Sequence, residues 1–173
     1  SNLRRQRQMC IRDSPKETCG LKVFMGTSTG TLLVEDDFAL EQIFQFCPVT
    51  IVTHCEDNET IKNNSDKVSS QNQTLDASFH PIIRDDLCCY KSSSKVIDLA
   101  KKYSSDLHVL HLTTEKEIKL FENIDLKNKK ITCEVCVHHL WFDESDYEKL
   151  GNFIVCNPAI KKVSDRNALR KAL

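Results

Sequence analysis

From Leu21 onward the chain alternates short apolar runs with segments whose bulky residues recur at helical spacing. This pattern predicts β-α-β units around a parallel sheet. The runs LKVFM (21–25), PVTIVTH (48–54), DLHVLH (106–111), KITCEVCV (130–137) and NFIVCN (152–157) read as strands. Between the first two, residues 35–46 repeat Phe38, Ile43, Phe44 and Phe46. Residues 85–103 carry Leu87, Tyr90, Ile97, Ala100 and Tyr103, and both spacings predict a helix with one apolar side. Further helices are expected at 57–67, 114–125, 143–150 and 164–173, several opened by Ser, Thr or Asp in a capping position. Three of the four intervals between strands suit one βα unit. The interval from 48 to 106 is longer and holds an insertion at 57–83, whose polar stretch NNSDKVSSQNQTLDASFHP suits a long surface loop over a site or a tolerated excursion.

Composition narrows this picture. With 173 residues, 40% of them hydrophobic, the chain can bury one sizeable core. Its 24 basic and 25 acidic side chains leave a net charge of −1, so no global electrostatic attraction to nucleic acid or to an anionic membrane is expected. No apolar run is long enough for a spanning helix and no secretory pattern opens the chain, so a cytoplasmic protein is expected. Nine cysteines, an odd number without a secretory signal, are expected to be reduced thiols serving mainly as small apolar packing residues. Residues 1–14, SNLRRQRQMCIRDS, are richer in basic residues than the rest of the chain and resemble translated adaptor sequence. They are expected to be a disordered, non-native leader ahead of a domain at 15–173.

Candidate chemistry sits at the strand ends. His54 and His111 each close an apolar strand, with polar residues and a helix following. That is the edge at which barrels and doubly wound sheets place their sites. Neutral imidazoles from neighbouring strand ends suit zinc and leave a coordination position open. Lys22 lies inside the apolar strand LKVFM, sharing a face with Phe24. A buried ammonium there must be neutralised, paired or altered, whereas an edge position would let it reach solvent. GTSTG (26–30) is too short of signals to be a phosphate cradle. Cys133 and Cys136, three apart on a strand, would point to opposite faces. Cys88 and Cys89, adjacent on a helix, would diverge by about 100°. Glu134, His138 and His139 lie at or past the end of the fourth strand, with one histidine expected to face the site and the other to pack outward. Asn157 precedes Pro158 at the end of the fifth, where a substrate contact and an ordinary turn are equally served.

Taken in order, GLKVFMGTSTG, VTHCED, HPIIR, LHVLHLTT, EVCVHHL and CNPAIK resemble the central part of a dihydroorotase of the amidohydrolase superfamily, from about Gly20 to Leu173. Hydantoinases and allantoinases are the nearest competitors. The resemblance implies a partial TIM-like (β/α)8 barrel, roughly strands four to seven with their helices. It also implies two zinc ions at the carboxyl face and interconversion of dihydroorotate and N-carbamoyl-aspartate in pyrimidine biosynthesis. It makes Lys22 a carbamylated bridging ligand, His54 and His111 metal ligands, and Asn157 a substrate contact, with His138 and Glu134 as candidates behind them. The family's first-strand His-x-His pair, its carboxylate-binding arginine and its eighth-strand aspartate are absent, and some dihydroorotases have aspartate where Lys22 stands. The chain is therefore expected to be an enzyme fragment, inactive alone. A non-catalytic dihydroorotase-like subunit and a small α/β binding module are the competing readings. The implied partners are dihydroorotate and, in the complete protein, a second copy or a transcarbamoylase.

Overall fold

The structure is a computed structural model and describes residues 18–26, 33–34 and 36–173. The leader at 1–14 and most of the GTSTG loop lie outside the described residues. Four short strands, β1 (Leu21–Phe24), β2 (Ile51–His54), β3 (Leu107–Val109) and β4 (Ile131–Cys133), form one sheet in the order β1-β2-β3-β4. All three pairings are parallel, with Phe24 opposite His54, Thr53 opposite Val109, and Val109 opposite Cys133.

Helices fill the connections, as parallel strands require. They are α1 (Asp37–Phe46), α2 (Asn58–Gln71), α3 (His80–Ile83), α4 (Asp86–Tyr103), α5 (Glu115–Ile118), α6 (Val137–Trp141), α7 (Tyr147–Leu150) and α8 (Val163–Ala172). Carboxylates start several of them. Asp36 accepts from Phe38 N and Ala39 N, Asp57 from Thr60 N, and Asp85 from Cys88 N, satisfying donors that the first turn leaves open. α4 ends where Ser104 turns left-handed at φ 57°.

The strands alternate faces. Val23, Ile51, Thr53, Leu107 and Val109 point to the helices and are buried with Leu40, Phe44, Val96, Ile97 and Ala100. The opposite face carries Lys22, Phe24, Val52, His54, His108 and Thr132, mostly half-exposed. This is the side that a closed barrel turns inward.

Several expectations are corrected. The run at 152–157 is not a strand: Gly151–Ile154 forms a 3-10 turn, with Phe153 fully in solvent. The strand expected over 130–137 ends at Cys133, and Val137 already begins α6. The helix expected at 57–67 is present as α2 and runs on to Gln71, so the first part of the polar stretch is a solvated helix face instead of a loop. The helix expected over 114–125 stops at Ile118, and that at 143–150 is a 3-10 turn followed by α7. α4 buries Ile97 and Ala100 as expected, but its first half packs through the small Cys88, Cys89, Ser92 and Ser93 while Leu87 is exposed. The eight described cysteines are all free thiols.

On α1 the two phenylalanines near its end part company, since Phe44 is 1% exposed and Phe46 66%. Phe44→Ala should therefore cost about 3–5 kcal/mol in urea unfolding through lost burial and a residual cavity. Phe46→Ala should stay within about 0.5 kcal/mol. Equal losses would contradict this assignment of the packed face.

Candidate metal centre at the carboxyl edge of the sheet

β2 ends on His54, and the alternation that sends Thr53 and Cys55 into the core turns His54 to the other face, where it is nevertheless buried. Two residues past the end of β3, His111 adopts φ 39°, a left-handed backbone that a non-glycine residue enters at a cost of about 1–2 kcal/mol. The flanking residues hold it there: Leu110 N donates to Thr53 O at 3.0 Å and Leu112 N to Glu134 O at 2.8 Å. The result is an edge-on pair of imidazoles, centroids 4.8 Å apart, in which His54 Nδ1 faces His111 Nε2 at 3.2 Å.

Behind this pair stands a carboxylate. His54 Nε2–H donates to Glu56 Oε2 at 2.9 Å, and the same oxygen accepts from Arg84 Nη1. Glu56 is fully buried and Arg84 nearly so. Burial pushes the Glu56 carboxyl up, but the His54 hydrogen bond and the Arg84 charge outweigh it and hold the group below its usual range. With its Nε2 proton committed to the carboxylate, neutral His54 keeps its lone pair on Nδ1, toward His111. Burial, helped by His54 nearby, lowers His111 to about 4.

These donors fit a divalent metal of the zinc type. Two nitrogens bound to one zinc at 2.0–2.1 Å with tetrahedral angles stand roughly 3.4 Å apart, close to the spacing found. A ligating histidine also characteristically donates its other N–H to a carboxylate, as His54 does to Glu56.

The remaining candidate residues fall in different places. Lys22 lies on the same face, on strand β1 and exposed, with its ammonium 4.6 Å from the Phe24 ring centroid. Its charge reaches His111 and disfavours the imidazolium there. Glu134 is exposed and pairs with His108 Nε2 at 3.4 Å, away from the His54–Glu56 hydrogen bonds. Of the two adjacent histidines His139 is the buried one and His138 is half-exposed. His139 Nε2 donates to Pro158 O at 3.0 Å. Asn157 is exposed in the loop between the 3-10 turn and Pro158, beside Cys156, whose carbonyl accepts from His80 at 2.8 Å.

Glu56 and Arg84 do not stand out in the sequence, although VTHCED and HPIIR contain them. The available signal is Glu56 two positions after His54, an acidic residue just past an apolar strand end. Arg84 has none, because 28 positions separate it from its partner.

A parallel ladder with its helices on one face is the architecture of a segment of a TIM-like barrel, and the histidine pair stands at its carboxyl edge. In the comparisons with known proteins, the chain is similar to dihydroorotases, an allantoinase and hydantoinases. It is 26% identical over 119 residues to a dihydroorotase of Methanothermobacter thermautotrophicus, covering 69% of this chain and 26% of that protein. It is 28% identical to a dihydroorotase of Pyrococcus furiosus, covering 92% and 33%, and 24% identical to an allantoinase of Enterococcus faecalis, covering 87% and 35%. In fold it superposes on the L-hydantoinase (dihydropyrimidinase) of Arthrobacter aurescens with a TM-score of 0.82, at 20% identity, over 92% of this chain and 36% of that one. The chain thus spans between a quarter and about a third of the length of the curated relatives it matches. No protein-family model matches it. Among the described residues, no helix is long and apolar enough to cross a membrane.

The two lowered imidazoles give this region a pH signature. His111 stands at about 4 and His139, desolvated by burial, at about 3, whereas both titrate near 6.5 in the unfolded chain. Between about pH 6.5 and 4 the unfolded state therefore binds protons that the folded state refuses, and their contribution to stability falls as pH falls. Glu117, raised by burial, works in the opposite direction, so the ring resonances are the direct readout. In metal-free protein the His111 ring signals should keep their neutral positions down to about pH 5, and a midpoint near 6.5 would contradict the desolvation of His111.

Proposed function

We propose that this chain is the central segment of a zinc-dependent dihydroorotase, a cyclic amide hydrolase that interconverts dihydroorotate and N-carbamoyl-aspartate. The observation that carries the reading is the approach of His54 Nδ1 to His111 Nε2 at the carboxyl edge, with Glu56 behind it. The dihydroorotases among the relatives favour this substrate over other cyclic amides.

In this reading His54 and His111 hold the metal, joined by Lys22 as its carbamate. That group forms when the neutral amine adds carbon dioxide and releases a proton. Zinc held by these residues would lower the pKa of its water toward neutrality and polarise the amide carbonyl. Glu56 fixes the His54 ring so that Nδ1 presents its lone pair, and Arg84 keeps Glu56 charged and oriented. Burial keeps His111 neutral, the form that can ligate. Asn157 donates to or accepts from the substrate ring. The catalytic reading is assigned to a polypeptide carrying these residues together with the rest of a barrel of the relatives' length. A non-catalytic subunit would share the fold and lack turnover.

The test is hydrolysis of dihydroorotate, hydantoin and allantoin, side by side, by the zinc-loaded polypeptide that includes this segment. Dihydroorotate should be turned over fastest, with His54→Gln and His111→Gln abolishing nearly all of it. Glu56→Gln should weaken zinc about 10–100-fold in a chelator competition while leaving the circular dichroism unchanged. Preference for hydantoin or allantoin would replace the substrate, and zinc affinity indifferent to all three substitutions would remove the site.

A further inference from the structure

A second set of metal-type donors lies on and before α6. Cys136 is the residue before the helix, and His138 and His139 are in its first turn. Adjacent helical residues ordinarily diverge by about 100°, yet the two rings here stand 4.2 Å apart between centroids, tilted by 50°. Cys136 Sγ and one ring nitrogen from each histidine all lie within 4.8 Å of one another.

His139 supplies the independent observation. It is 4% exposed, and its Nε2–H donates to the Pro158 carbonyl at 3.0 Å. A carbonyl only accepts, so in the neutral ring the proton is on Nε2 and the lone pair is on Nδ1. That Nδ1 is buried and has no hydrogen-bond partner. An imidazole held by a backbone carbonyl on one nitrogen and left bare on the other is the arrangement in which metal-ligating histidines are found.

We propose that Cys136 Sγ, His138 and His139 Nδ1 bind one thiophilic divalent cation of the zinc class, with water in the fourth position. One sulfur and two imidazole nitrogens form a borderline-soft donor set that favours zinc over magnesium or calcium. Zinc ligands lie roughly 3.3–3.8 Å apart around the ion, so a modest inward movement of Cys136 and His138 closes the site. Both are only half-buried and so can make that movement while leaving the fourth position open to solvent. Binding forms the sulfur–metal bond and releases the Cys136 thiol proton to water. This site uses none of His54, His111, Glu56, Arg84 and Lys22 and does not depend on the hydrolase reading.

Cobalt(II) titrated into the metal-free chain tests it, because only a thiolate ligand gives a sulfur-to-cobalt charge-transfer absorption. One equivalent should develop that absorption. Cys136→Ser should abolish it with circular dichroism unchanged, and His138→Gln should lower the apparent affinity about 100-fold or more, ligand loss exceeding the effect of losing an outer partner. His54→Gln should leave the absorption in place, which separates this site from the other centre. His138 is half-exposed, so its variant keeps the test decisive if Cys136→Ser unfolds. No charge-transfer band in the parent chain, a band that survives Cys136→Ser, or an affinity unmoved by His138→Gln would overturn the proposal.

Discussion

A carboxylate removed from water has to be neutralised where it lands, and Glu56 has none of its surface exposed. Its Oε2 accepts a hydrogen bond from Arg84 on one side and from His54 on the other. Removing Arg84 would take away the compensating charge, a loss of about 3–5 kcal/mol in comparable pairs. This one oxygen therefore ties the segment before α4 to the end of β2. It also fixes which nitrogen of His54 is bare. The geometry of the His54–His111 pair depends on that choice, since an imidazole turned over by 180° would present an N–H where the ligand lone pair is needed.

The sheet supplies the other half of the constraint. Parallel register sets Phe24 beside His54, and Leu110 is tied back to Thr53, so the ends of β2 and β3 are level. His111 then reaches His54 only by the left-handed turn at its own backbone. The strain is local and the hydrogen bonds of Leu110 and Leu112 on either side hold it, a pattern expected where a side chain must be aimed.

How far the sequence reveals this differs from residue to residue. His54 and His111 are legible because each ends an apolar run, and a parallel sheet gathers such ends on one edge. The core strands at 21, 51, 107 and 131 are legible for the same reason, though β4 reads too long because apolar residues continue into α6. NFIVCN misleads because a short apolar run has no period of its own, and here Phe153 is exposed instead of packed. Helix α2 escapes the apolar pattern past its first turns because its polar residues face solvent on most sides, leaving only Thr60 and Val68 buried. Arg84 is illegible in principle, since a tertiary ion pair across 28 positions leaves no periodic trace. Lys22 stands out inside an apolar strand because the alternation of β1 turns it to the exposed face that also carries Phe24.

The central claim is that the end of β2 and the turn after β3 form half of a metal centre preorganised by Glu56. Anomalous scattering at the zinc edge, from crystals of the zinc-loaded protein, tests it most directly. The account predicts a peak bridging His54 Nδ1 and His111 Nε2 at about 2.0–2.1 Å from each, with His54 Nε2 still donating to Glu56. Zinc bound elsewhere while these two nitrogens remain hydrogen-bonded to each other would contradict it.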